Sequence, residues 1–168
     1  MVGLPGLAIN QRGESWIDPD EMMETLEELQ RLSTGLFFLL TEDKECPHGM
    51  RLALRERLSE LGSGFVALPI ADFAAPSSAW VRGWNRLWPR VAGVLDNGGS
   101  VGFCCAYGAG RSGMIAAHTL SRRGLSVDEA LRRVRDAFAE AVESPEQEHW
   151  LLGHDDAKEG HALGGYTD

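Results

Sequence analysis

The chain has 168 residues, of which 43 % are hydrophobic and 24 % charged, and a formal net charge of −9. That size and composition suit one globular domain with a real core. The charge argues against a nucleic-acid binder held by counterion release and against adhesion to an anionic membrane, and no apolar run reaches the roughly 18 residues of a membrane span.

The opening stretch MVGLPGLAINQRGES has neither a charged leader nor a sustained apolar run, so no signal peptide is expected. Three cysteines cannot make a disulfide framework, and a cytoplasmic setting is the default expectation. The first periodic segment, 18–32, has Asp18 as N-cap, Pro19 at the first helical position and Glu21 closing a capping box. Met22, Leu26 and Leu29 follow at helical spacing, and Gly35 is expected to stop the helix. LFFLL, 36–40, is a continuous apolar run of the kind that forms a buried strand. A second helix over 50–61 ends at Gly62, and FVALPI, 65–70, reads as a second buried strand. A third helix follows with Ser78 as its cap; Trp84, Leu87, Trp88 and Val91 line one face and Pro89 bends it. SVGFCC, 100–105, is a third strand, and a glycine-rich turn leads into a fourth helix. Ser126 with Glu129 opens a fifth, and Ser144 followed by Pro145 a short sixth. The tail, 153–168, has no period and is expected to be disordered. Strands alternating with helices, without repeat or linker, predict a single α/β domain over 1–152 with a central, mostly parallel sheet flanked by helices.

The turn after the third strand carries the chemistry. Between Cys105 and Arg111 lie Ala106, Tyr107, Gly108, Ala109 and Gly110. So short and glycine-rich a loop can turn its amides inward as an anion-binding nest. The following helix aims its N-terminal amides and positive dipole end at the same spot. Arg111 adds a planar fork suited to two oxygens of a phosphate. A cysteine facing that centre is favoured as thiolate, and a thiolate beneath a phosphate predicts phosphoryl transfer to sulfur followed by hydrolysis.

Cys105-Ala106-Tyr107-Gly108-Ala109-Gly110-Arg111-Ser112-Gly113 resembles the signature of the cysteine-dependent protein tyrosine and dual-specificity phosphatases, which reads His-Cys-x-x-Gly-x-Gly-Arg-Ser/Thr-Gly. The resemblance covers roughly 35–152; residues 1–34 match loosely. The family also uses an aspartic acid on a separate loop, and LPIADFAAPS supplies Pro69, Ile70, Asp72 and Pro76 in its pattern. LLTED, 39–43, fits a further family feature, and SPEQEHWL resembles the terminal segment, whose glutamine here is Gln147. The resemblance implies that Cys105 attacks phosphorus and that Arg111 with the loop amides of 106–110 holds the oxygens. It implies that Asp72 protonates the leaving group, that Ser112 donates to the sulfur, and that Gln147 positions water. No metal or cofactor is implied, since arginine and amides supply the positive charge.

Cys104 stands where the family has histidine. It reads as a small buried apolar residue, and its side chain points to the strand face opposite Cys105. Cys46 is either a redox trap for oxidised Cys105 or an ordinary loop thiol. Gln147 is equally a helix-start residue. The tryptophans read as core, His118 as an interior histidine, and Arg132, Arg133 and Arg135 as partners of nearby acids. His154, Asp155, Asp156 and His161 read as solvated tail rather than metal ligands. The expected substrate is a phosphorylated protein or peptide with dual specificity, and the expected state a monomer without nucleic-acid or membrane partners. Alternatives are a phosphoinositide or RNA 5′-phosphate substrate, a silent phosphate-binding module, and a thiol oxidoreductase such as an arsenate reductase.

Overall fold

The computed structural model describes residues 1–154. The tail expectation, and with it Asp155, Asp156 and His161, falls almost entirely outside the described residues. A central sheet is built from β3 (Thr34–Leu39), β4 (Gly64–Ala67) and β5 (Ser100–Cys104). All pairs are parallel and the order is β4-β3-β5. Two further strands, β1 (Leu7–Ile9) and β2 (Ser15–Ile17), form a separate antiparallel hairpin.

The alternation of β3 between two faces explains its unbroken apolar run. Leu36, Phe38 and Leu40 face one core; Phe37 and Leu39 face the other. The first core is covered by α3 (Ser78–Asp96), α4 (Gly110–Arg122), α5 (Val127–Ala137) and α6 (Pro145–Leu152), and holds Trp80, Trp84, Met114, Leu131 and Trp150. The second is covered by α1 (Pro19–Arg31) and α2 (Met50–Glu60), through Leu26, Leu29, Leu54 and Leu58. The single-domain, parallel-sheet architecture expected from the sequence is therefore the one observed.

Helix starts follow the caps read from the sequence. The Asp18 carboxylate accepts from the amides of Asp20 and Glu21, Ser126 Oγ from Glu129, and Ser144 Oγ from Gln147. Ser77, not Ser78, caps α3, accepting from Trp80 N–H. Two further boundaries differ. Gly35 does not stop α1: the helix ends at Arg31, Ser33 makes the turn with φ +51°, and Gly35 lies inside β3 beside Val94. β4 ends at Ala67 rather than residue 70, because Pro69 has no N–H for the ladder; Leu68 and Ile70 still donate to Leu39 and Leu40. The β1–β2 hairpin was not anticipated. Trp80 and Trp84 stack at 5.5 Å in the core, and Trp88 lies at its edge under Arg122, whose guanidinium carbon is 4.2 Å from the ring centroid. Arg132 and Arg133 pair with Glu129, and Arg135 with Glu148 at 2.6 Å.

The strand order places a topological switch at β3: the chain crosses to one side for β4 and to the other for β5. Ligands of open α/β sheets sit beyond the carboxyl ends of the strands at such a point. The segments leaving β3, β4 and β5 there carry Glu45, Asp72 and Cys105.

Candidate active site

Period-two alternation at the end of β5 decides which cysteine faces which core. Cys105 joins the core beneath α4; Cys104 joins the opposite one. The loop then turns sharply. Gly108 takes φ +93°, a left-handed conformation that suits glycine, and its amide points back and donates to Cys105 Sγ at 3.2 Å. α4 begins at Gly110, so its first amides and dipole face the same place.

Arg111 extends from the first turn of α4 and is 1 % exposed. Nη1 donates to Glu45 Oε2 at 2.7 Å and to the Ile70 carbonyl at 3.0 Å; Nη2 donates to Glu45 Oε1 at 2.6 Å. Asp72 Oδ1 lies 3.0 Å from Nη2. Glu45 also accepts the Glu42 amide at 2.7 Å, so three donors converge on its carboxylate. Burial disfavours charge on both members of this pair, yet their mutual hydrogen bonds prevail: Glu45 is held below the usual carboxylate range and Arg111 above the usual guanidinium value.

With both terminal nitrogens engaged, Arg111 Nε remains buried without a partner among the described residues, as do Ser112 Oγ and Gln147 Nε2. Gln147 is fully buried, and its Oε1 accepts the Glu143 amide at 3.1 Å. Buried polar atoms are rarely left without partners. The loop 105–111 and the N-terminus of α4 form a cradle around Cys105 Sγ, and the buried Nε of Arg111 is a donor without a partner among the described residues that a tetrahedral oxyanion could engage. Tyr107, in the loop itself, and Phe73, next to Asp72, are exposed.

Of the residues singled out in the sequence, Cys105, Arg111 and Asp72 meet at this cradle, and Ser112 sits in the first turn of α4. Cys46 packs on the other side of the sheet, against the core that contains Cys104, with Thr41 Oγ1 at 3.2 Å from its sulfur. Burial, and then Cys105, push the Cys104 thiol well above its ordinary range, in keeping with an inert packing residue. Among the described residues no group of three His, Cys, Asp or Glu side chains could hold a metal ion. No helix of the described residues is long and apolar enough to cross a membrane.

Two carboxylates escaped the sequence reading. Glu45 follows the singled-out LLTED stretch, and an acid just beyond a parallel strand was the available signal. Glu143 lies beside Gly110, where a Cβ would collide with its carboxylate. Partial burial and the neighbouring Asp72 push its carboxyl above the usual range; nothing in its sequence surroundings marked it.

Neither the protein-family models nor the curated proteins give a match to the sequence. Solved structures do. Tk-PTP, crystallised in a mutant form, shares 31 % identity over 81 % of this chain and 85 % of its own, with a TM-score of 0.64. Kinase associated phosphatase, with its catalytic-site cysteine replaced by serine, shares 21 % identity over 98 % of this chain and 86 % of its own, with a TM-score of 0.71. PTPMT1 in complex with PI(5)P shares 16 % identity over 82 % of this chain and 88 % of its own, with a TM-score of 0.59. Fold and cradle together place the chain in the structural class of small α/β phosphatases. The chain belongs to the protein tyrosine and dual-specificity phosphatase family.

Proposed function

We propose that the protein hydrolyses phosphomonoesters of protein side chains, phosphotyrosine and phosphoserine or phosphothreonine alike, through a cysteinyl-phosphate on Cys105. The observation that supports this reading is the Gly108 amide donating to Cys105 Sγ at 3.2 Å in the same strand-loop-helix unit that carries the buried Arg111, whose Nε has no partner among the described residues. Cys105 Sγ attacks phosphorus as thiolate, the P–O bond to the substrate breaks, and Asp72 gives its proton to the leaving oxygen. Water then attacks phosphorus, Asp72 takes up the proton, the S–P bond breaks, and inorganic phosphate leaves with the thiolate restored. Arg111 and the amides stabilise the equatorial oxygens in both steps, which is the charge-stabilising work a metal does elsewhere. Ser112 Oγ, buried beside the nucleophile's loop, donates to the departing sulfur. Gln147 Nε2 holds the attacking water. Asp72, 51 % exposed, is free to leave Arg111 Nη2 when a phosphate oxygen competes for it.

The uncharged Ala106, Tyr107 and Ala109 within the cradle favour a protein over a polyanionic phosphoinositide, which lysines would attract. The net charge of −9 disfavours RNA. Hydrolysis of an aryl phosphate and of a phosphoserine peptide by the wild type, Cys105→Ser and Asp72→Ala proteins tests the mechanism. Cys105→Ser should abolish turnover of both. Asp72→Ala should lose roughly 10²–10⁴-fold on the peptide and far less on the aryl ester, whose leaving group needs no proton. Turnover surviving Cys105→Ser overturns the reading; a phosphoinositide turned over faster than any phosphopeptide overturns the protein substrate alone.

A further inference from the structure

Val2, Gly3 and Leu4 run along the edge of β5 that β3 does not occupy. Val2 bridges Cys104 in parallel and donates to the Phe103 carbonyl at 3.0 Å. Leu4 N–H donates to the Ala106 carbonyl at 3.1 Å. Between them the Gly3 carbonyl lies 3.4 Å from Cys104 Sγ. Gly3 also fills the space behind the cradle: a Cβ on Gly108 would come within 2.5 Å of Gly3 N, and one on Gly3 within 3.2 Å of the Tyr107 carbonyl. Leu4 itself is anchored in the core at 5 % exposure.

We propose that Val2–Leu4 is a positioning element of the phosphate cradle, in which Leu4 N–H, by holding the Ala106 carbonyl outward, aims the Tyr107 amide inward at the bound phosphate. The warrant is the planarity of the trans peptide: its C=O and N–H point in opposite directions. Ala106 C=O and Tyr107 N–H belong to one peptide unit, so fixing the first on the outer face fixes the second on the inner. The bridge at Val2 sets the register, and the contact between Gly3 and Gly108 keeps the loop from relaxing outward. The Cys104 thiol, kept protonated by burial, completes the contact to Gly3. The proposal rests on the phosphatase reading above.

The test is protection of Cys105 from iodoacetamide by inorganic phosphate, with the pH dependence of alkylation and the kcat and KM for an aryl phosphate. Leu4→Pro removes the N–H and retains an apolar side chain; Gly3→Val instead pushes the segment off the cradle. Each should weaken phosphate protection about tenfold, the worth of one hydrogen bond to a charged group. Each should also move the alkylation profile to higher pH. Ile9→Ser, on the exposed face of β1, should behave as wild type. If the wild type is protected and both variants match it, the positioning role is wrong and the phosphatase reading stands. If phosphate does not protect even the wild type, the phosphatase reading falls and the proposal with it. Should Leu4→Pro not fold, Gly3→Val decides alone.

Discussion

Arg111 is nearly inaccessible to water yet fully charged, and Glu45 is what makes that tolerable. Two parallel hydrogen bonds fix the guanidinium plane and leave Nε without a partner among the described residues. Removing Glu45 leaves the buried guanidinium with the half-exposed Asp72 as its remaining carboxylate partner among the described residues, and breaking a buried pair costs about 3 kcal/mol. Glu45→Ala should therefore lower stability by about 3 kcal/mol in urea denaturation and cut kcat/KM of an aryl phosphate at least as deeply as it cuts phosphate affinity. Glu45→Gln, which keeps one acceptor, should fall between; a Glu45→Ala protein of wild-type stability contradicts this account. Cys105 and Arg111 were legible because their chemistry is encoded within one loop, where spacing alone places them. Glu45 was not, because it acts on Arg111 from 66 residues away and only the folded sheet brings the two together.

The segments that bring acids to the cradle are held by one another. Ser144 Oγ accepts the Gln147 amide as the cap of α6 and donates to the Phe73 carbonyl at 2.7 Å. One hydroxyl thus starts a helix and ties down the loop of Asp72. Glu146 adds a second tie, accepting the Ala75 amide at 3.2 Å. Both acid-bearing loops carry a strained neighbour: Phe73 at φ +57° and Val142 at φ +61°. Bulky residues adopt that conformation only where their surroundings impose it. Ser144→Ala should cost about 1 kcal/mol as a lost cap. It should also lower kcat on a phosphoserine peptide several-fold more than on an activated aryl phosphate, because the loosened loop misplaces Asp72, the proton donor proposed above. Equal losses on both substrates would show that the tie does not act through Asp72. Helix starts were readable at this scale because a cap is a local hydrogen bond. The hairpin of β1 and β2 and the end of α1 were not. The hairpin's turn does hold Gly13 at φ +79°, but its strands are only three residues each, too short for an alternating pattern to show, and Ser33 makes the left-handed turn that Gly35 was expected to make.

Burial on both faces of the parallel sheet made the architecture legible in the sequence, since it forces continuous apolar strands between amphipathic helices. It also decides how the whole molecule responds to acid. His118 lies on α4 between α3 and α6, 5 % exposed, with its ring 4.9 Å from that of Trp150 and 6.2 Å from that of Trp84. Its Nδ1 has no hydrogen-bond partner among the described residues. Burial above all, with Arg122 and His154 nearby, lowers its pKa from 6.5 to about 3. The folded protein thus keeps His118 neutral where the unfolded chain binds a proton. Above pH 6.5 the two states agree and the residue imposes no penalty; as pH falls from 6.5 toward 3 the unfolded state gains the proton first and stability drops. At pH 5 the penalty is about 2 kcal/mol, or roughly 6 °C in Tm for a domain of this size. His118→Gln removes the titration. Although the variant loses some packing at every pH, its Tm should fall less than that of wild type between pH 7 and pH 5, by about those 6 °C. Parallel curves for the two proteins would mean that His118 is protonated within the fold and that the contacts joining α4 to α6 accommodate the charge.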